Sequence, residues 1–222
     1  MPTNKSIVAI DGPAGAGKST VAKIVAKELG FLYIDTGSLY RALTLKAKRH
    51  KLDLNDSEAI VNLLKQTCIR LKHVGDDLKV ILDNEDVSEE IRSPHKTDGV
   101  SDVAKIKEVR EIITNLQRDL AKDNDSVLEG RDIGTVVFPD AKYKFFLDAN
   151  FKERAQRRFK ELKERNEEIK IESVENNLST RDKTDSTREI APLKKAEDAN
   201  YIDTTDLSIE QVVNKIISWI KS

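Results

Sequence analysis

The stretch that decides the fold is Ile7-Val8-Ala9-Ile10-Asp11-Gly12-Pro13-Ala14-Gly15-Ala16-Gly17-Lys18-Ser19-Thr20. Its first four residues are apolar without alternation, which predicts a strand buried on both faces, as in a parallel sheet. Residues 12–19 then match the pattern G-x-x-x-x-G-K-[ST] in full, placed where that pattern acts, between a strand and a helix. Its chemistry depends on backbone N–H groups closing round phosphate oxygens, so side chains must be absent from the inner face of the loop. The helix that opens at Lys18 adds unpaired N–H groups and the positive end of its dipole. Gly12, Pro13, Ala14, Gly15, Ala16, Gly17, Lys18, Ser19 and Thr20 are therefore candidate ligands of an ATP-type triphosphate. Lys18 is expected to bridge the β- and γ-phosphates, Ser19 to give its hydroxyl directly to Mg²⁺, and Thr20 to reach the α-phosphate.

Working outward, Val21, Ile24, Val25 and Leu29 recur at helical spacing, and Gly30 ends that helix. Phe31 to Ile34 reads as a second strand, and Thr36 precedes a helix through Leu39, Leu43 and Ala47. Strand, helix, strand, helix is the opening of an α/β fold. Asp56 or Ser57 can cap a helix carrying Ile60, Leu63 and Leu64. The segments 68–71 and 78–82, either side of a turn at Gly75-Asp76, read as an antiparallel hairpin within an inserted subdomain of about residues 62–100. The α/β rhythm then resumes. Ile106 to Leu120 forms an amphipathic helix, 126–128 and 143–147 are strands, and Phe151, Ala155, Phe159 and Leu162 stripe a helix that turns Arg154 and Arg158 away from the core. The chain is polar as far as about Asn166. Residues 199–202 make a last strand and 209–219 a last helix, giving one open sheet of five strands.

Composition narrows the class. Hydrophobic residues are 38% and charged residues 35% of 222, a mixture that folds into one ordinary core with room for a small subdomain. With 38 Lys and Arg against 39 Asp and Glu, the net charge of -1 argues against coating nucleic acid. No leader of the secretory kind follows Met1, and no segment approaches the roughly 20 apolar residues of a membrane span, so a cytoplasmic location is expected. The one cysteine, Cys68, excludes an intramolecular disulfide and is expected to be a small buried hydrophobe. His50, His73 and His95 have no partners that suggest catalysis and are expected at the surface.

A phosphate loop alone does not separate a kinase from a GTPase or a mechanical ATPase. No N-K-x-D segment reads a guanine base, and the apolar run before Glu129 is short for a motor, which favours a small kinase. Transfer between two nucleotides gathers at least five negative charges, so arginines and no general base are needed when the acceptor is a phosphate. Arg154, Arg157, Arg158 and Arg165 form one cluster. Arg181, Asp185 and Arg188, spaced four and three apart, come together if their segment is helical. Either cluster also reads as a solvated charged face, with Glu161, Glu164, Glu167 and Glu168 supporting that for the first helix.

Six ordered stretches carry a resemblance that settles more: IDGPAGAGKST at 10–20, DTGSLYRA at 35–42, EDVSEEIR at 85–92, GRDIGTVVFPDA at 130–141, FLDA at 146–149, and RD…D…R…APL across 181–193. On these the chain resembles the bacterial cytidylate kinases, the (d)CMP kinases of the nucleoside monophosphate kinase group, over essentially its whole length. The resemblance implies a three-layer P-loop NTPase fold around a central five-stranded parallel sheet. It divides the chain into a core (about 1–61, 101–153 and 189–222), a CMP-binding insert (about 62–100) and a small lid (about 154–188). It implies transfer of the γ-phosphoryl group of ATP to CMP or dCMP with Mg²⁺, in pyrimidine nucleotide metabolism, by a monomer that binds neither nucleic acid nor membrane. Kinases of other small acceptors (UMP, AMP, shikimate) and a non-catalytic nucleotide- or nucleic-acid-binding module are the rival readings.

Carried over by position, Thr36, Arg41, Ser101, Arg110, Asp132, Arg181, Asp185 and Arg188 are the CMP-site candidates. Arg41 and Arg110 are assigned the CMP phosphate. Ser101, Arg181 and Asp185 are assigned the cytosine, Asp185 with Arg188 the sugar or phosphate end, and Asp132 a sugar hydroxyl or an arginine. Lys18, Arg131, Arg158 and Arg188 are the catalytic candidates, neutralising the phosphoryl group in transit. Many family members have Asp where this chain has Glu129. The longer carboxylate is expected to reach Mg²⁺ through water.

Overall fold

The computed structural model describes residues 5–75, 77–165 and 168–222. The first four residues, together with Asp76, Asn166 and Glu167, lie outside the described residues. In chain order the elements are β1 (Ile7–Asp11), α1 (Lys18–Leu29), β2 (Leu32–Asp35), α2 (Thr36–Arg49) and α3 (Ser57–Lys65). Then come β3 (Ile69–Val74), β4 (Asp77–Leu82), β5 (Glu85–Asp86), a 3₁₀ turn (Glu90–Arg92), α4 (Pro94–Thr97), α5 (Val100–Ala104) and α6 (Lys107–Ala121). The chain finishes with β6 (Ser126–Gly130), a π-helical turn (Ile133–Val137), β7 (Tyr143–Asp148), α7 (Phe151–Glu164), α8 (Ile171–Thr187), β8 (Asn200–Asp203) and α9 (Ile209–Lys221). These elements pack as two compact units, Met1–Tyr33 with Ala121–Ser222, and Ile34–Leu120.

The first unit is built on a five-stranded sheet of order β2-β6-β1-β7-β8, with the unit boundary falling inside β2. β1 is the central strand and every one of its residues is buried, as its unbroken apolar run predicts. It runs parallel to β6 from Ile7 opposite Ser126 to Asp11 opposite Gly130, and parallel to β7 from Val8 opposite Tyr143 to Asp11 opposite Phe146. The register matters for function. Asp11 and Gly130 end their strands level with Phe146 of β7, so the loops that follow leave the same edge of the sheet, where open α/β sheets place ligands. One face is covered by α1 and α9. Val21 and Val25 of α1 and Val212 and Ile216 of α9 pack with Val8, Ile10, Val127, Phe145 and Leu147.

The second unit holds a three-stranded antiparallel sheet of order β3-β4-β5. The hairpin expected from the sequence is present, with Ile69 opposite Leu82 and Val74 opposite Asp77. Asp35 caps α2 by accepting from the Ser38 N–H at 3.0 Å, and Asp56 caps α3 from the Ala59 N–H at 3.0 Å. Leu39, Leu43, Ile60, Val80, Ile91, Val103 and Ile113 form its core.

Two expectations are corrected. Cys68 is exposed, because it stands just before β3, where its N–H donates to the Asp83 carboxylate and Ile69, one residue on, takes the inward place. Arg154 is not turned to solvent; it is buried, while Phe151 at the start of the same helix is 40% exposed. The inward face of α7 is Arg154, Ala155 and Leu162. His50, His73 and His95 are exposed as expected.

Candidate active site

The loop after β1 is shaped by contact with β7. At Gly12, which has φ +148, an added Cβ would stand 1.9 Å from the Leu147 carbonyl oxygen, so no side chain fits. Gly17 caps α1 in the left-handed conformation, and Lys18 and Ser19 begin the helix. Lys18 is buried and its ammonium donates to the Pro13 carbonyl at 2.7 Å, across the loop it belongs to. Ser19 and Thr20 face solvent.

Behind the loop, Asp11 is buried and accepts from the Ile133 and Gly134 N–H groups, each at 2.8 Å. Burial pushes its carboxyl up to about 6, further raised by Asp132 and opposed by those two hydrogen bonds and by Lys18. Glu129, also buried, accepts from the Tyr33 hydroxyl at 2.9 Å. No local sequence pattern marks Tyr33 for this contact, which spans 96 positions.

Arg131 follows β6 directly, and its Nε donates to Asp185 Oδ2 at 2.9 Å. Asp185 lies in the last turn of α8, and Arg188 caps that helix. Arg188 is buried, donates from Nε to the Ala191 carbonyl at 2.7 Å, and lies 3.5 Å from Asp185 and 3.7 Å from Asp132. Asp132 thus stands beside an arginine within this group. Burial raises the Asp185 pKa, but Arg131, Arg188 and Arg181 outweigh it and hold the carboxyl below the usual carboxylate value. Lys18 feels the same group. Burial first, then Arg131, with a smaller effect from Arg181, push its ammonium down to about 7 against the pull of Glu129 and Asp11.

Lys18, Arg131, Asp132, Arg181, Asp185 and Arg188 thus form one charged group in the first unit. Arg158 pairs instead with Glu161 at 2.7 Å along its own helix. The remaining candidates belong to the second unit. Thr36 is buried at the start of α2, and Arg41 donates to Asp35 at 2.6 Å. Arg110 is buried with its guanidinium 5.4 Å from the Tyr40 ring centre, and it donates to the Ala104 carbonyl. Ser101 is half-buried on α5.

The arrangement can seat a polyphosphate on a backbone cradle and neutralise it from one side with three arginines and a lysine. Comparisons with known proteins place the chain in a family. The family model for cytidylate kinase matches residues 8–222. A cytidylate kinase of Caldanaerobacter subterraneus is 52% identical over 214 residues, covering 96% of this chain and 94% of its own. One from Caldicellulosiruptor saccharolyticus is 50% identical over 210 residues, covering 95% and 93%. A crystal structure of an uncharacterized protein from Eubacterium ventriosum shares the fold at TM-score 0.51 and 14% identity, covering 98% of this chain and 99% of that one. With a family model spanning nearly every residue and relatives half identical along almost their full length, the chain belongs to the cytidylate kinase family.

Proposed function

We propose that this protein transfers the γ-phosphoryl group of ATP to CMP or dCMP, releasing ADP and CDP or dCDP. The observation that carries the reading is the cationic group beside the phosphate loop. Burial first, and then Arg131 and Arg181, lower the proton affinity of Lys18 against the pull of Glu129 and Asp11, while Asp185 holds Arg131 and Arg188, so cationic groups already stand gathered where phosphate anions enter. Two nucleotides supply those anions. Lys18 then exchanges the Pro13 carbonyl for phosphate oxygens, and Arg131 and Arg188 share Asp185 with the phosphoryl group in transit. No general base is required, because the acceptor oxygen is already a phosphate anion.

The loop residues Gly12 to Thr20 take the ATP phosphates. Arg41 and Arg110 are assigned the CMP phosphate, Arg181, Asp185 and Ser101 the cytosine, and Thr36 and Asp132 supporting contacts. A carboxylate beside an arginine suits the amino donor and ring acceptors of cytosine, whereas uracil would set a carbonyl against Asp185. Arg158, on the arginine-rich helix, is assigned to charge neutralisation once its pairing with Glu161 yields.

The donor set also fits Mg²⁺ arriving with ATP. Ser19 offers a hydroxyl at the loop and Glu129 a carboxylate nearby in the fold, while among the described residues no three His, Cys, Asp or Glu cluster into a metal site of their own. A hard ion that keeps water and phosphate oxygens needs no more protein than this. When bound it supplies charge neutralisation of the β- and γ-phosphates. Among the described residues no helix is long and apolar enough to cross a membrane, and we assign the protein to the cytoplasm as a monomer working in pyrimidine nucleotide metabolism.

Initial rates of ADP release with CMP, dCMP, UMP, AMP and shikimate test the reading. CMP and dCMP are expected to be preferred over UMP by at least about 100-fold in kcat/KM. Equal rates with UMP or AMP, or ADP release that ignores the acceptor, would overturn it.

A further inference from the structure

The buried Arg154 joins three parts of the first unit. Its Nε donates to the Ala149 carbonyl, just past β7, at 3.0 Å. Its Nη1 donates to the Ala14 carbonyl inside the phosphate loop at 3.1 Å, and to Asp182 Oδ2 on α8 at 2.6 Å. The loop also packs on the same residue, since a Cβ at Gly15 would stand 2.8 Å from the Arg154 carbonyl oxygen. Ala14, Ala155 and Leu178 make a small buried cluster beside it, which brings the loop, α7 and α8 together.

Asp182 is one residue from Arg181 and three from Asp185 on the same helix. Its Oδ1 is buried with no hydrogen-bond partner, so the carboxylate depends on Arg154 for compensation. Only a guanidinium can serve both carbonyls and the carboxylate, because its fork directs several N–H groups at fixed angles where an ammonium offers one point. A pair placed merely to fasten two helices has no need of the Ala14 carbonyl.

We infer that Arg154 and Asp182 are a positioning pair that sets α8, and with it Arg181, Asp185 and Arg188, in register with the phosphate loop. Neither residue need touch a substrate. The pair transmits how the loop is seated on its nucleotide to the groups that present the acceptor. The inference rests on the proposed (d)CMP kinase reading and adds two residues to it.

The full chain and the variants Asp182→Asn, Arg154→Lys and their double are compared by ADP release with ATP and CMP varied separately, and by thermal melting. Asp182→Asn is expected to lower kcat, and kcat/KM for both substrates, by roughly tenfold. The double variant is expected to be no worse than the poorer single, because the two act through one another. Should Arg154→Lys fail to fold, the isosteric Asp182→Asn still decides. A lower melting temperature with kcat and both KM values unchanged would make the pair a simple fastener and overturn the inference. A change confined to the KM for ATP would also overturn it, by making Arg154 a nucleotide contact. Wild-type protein inactive on CMP would defeat the parent reading instead, whereas wild-type activity matched by Asp182→Asn defeats only this one.

Discussion

Asp11 and Gly134 are joined by a 2.8 Å hydrogen bond from the Gly134 N–H to Asp11 Oδ2, and Ile133 donates to Oδ1 at the same distance. One buried carboxylate thereby ties the strand end that launches the phosphate loop to the π-helical turn that follows Arg131 and Asp132. π-helical turns often mark functional sites. Asp11→Asn sets an amide N–H against a backbone N–H and is expected to cost about 1–3 kcal/mol at pH 4, measured by urea unfolding. The pH dependence adds a second check. The folded carboxyl holds its proton to about 6 against 3.8 for the ordinary group, so its contribution is fully present below 3.8 and is lost as pH rises through 6. Between pH 4 and 7 the stability difference is therefore expected to shift in favour of the Asn protein by up to about 3 kcal/mol. A difference that does not move with pH would contradict this.

Lys18→Met is expected to lower kcat by more than about 100-fold while the KM for CMP changes little, because the ammonium acts on the donor phosphates. Steady-state rates with CMP varied at saturating ATP decide it. An unaffected rate would remove Lys18, and the loop with it, from the reaction.

Gly12→Ala places a methyl group 1.9 Å from the Leu147 carbonyl oxygen, a contact that β7 cannot relieve without moving. The expected loss of stability is about 3 kcal/mol or more, with ATP binding lost alongside. A variant that melts with the wild type would show that β1 and β7 are less firmly in register than the sheet implies.

Asp185→Asn leaves Arg131 and Arg188 without their shared anion, and is expected to cost about 3 kcal/mol near neutrality. Because the carboxyl is held below its ordinary value, its contribution is present above that value and is lost as pH falls through the lowered one. The variant and the wild type should therefore converge in acid unfolding. Preference for CMP over UMP is expected to narrow by at least about tenfold. An unchanged preference would take Asp185 out of base recognition.

Much of this was legible in the chain. β1, the phosphate loop and α1 were clear because a continuous apolar run, a glycine pattern and a helical stripe follow one another in fourteen residues and a few turns more. Level strand ends then had to bring Arg131 to the same edge as the loop. What escaped was held by polar contacts. Arg154 is buried on backbone carbonyls and Asp182, and apolar periodicity carries no sign of such partners. The full length of α8 is not legible for a related reason, since Ile171, Val174 and Leu178 give it a thin stripe and its last two turns are polar. β5 is two residues long and pairs only with β4. Tyr33 reaches Glu129 across 96 positions, and no local pattern reports that.

The central claim is that the Gly12–Ser19 loop is the donor half of a reaction whose acceptor is CMP. The most direct measurement is quantification of all nucleotides after incubation with ATP, Mg²⁺ and equal CMP and UMP. CDP and ADP are expected to accumulate one for one with little UDP; ADP without CDP, or UDP keeping pace with CDP, would contradict the account.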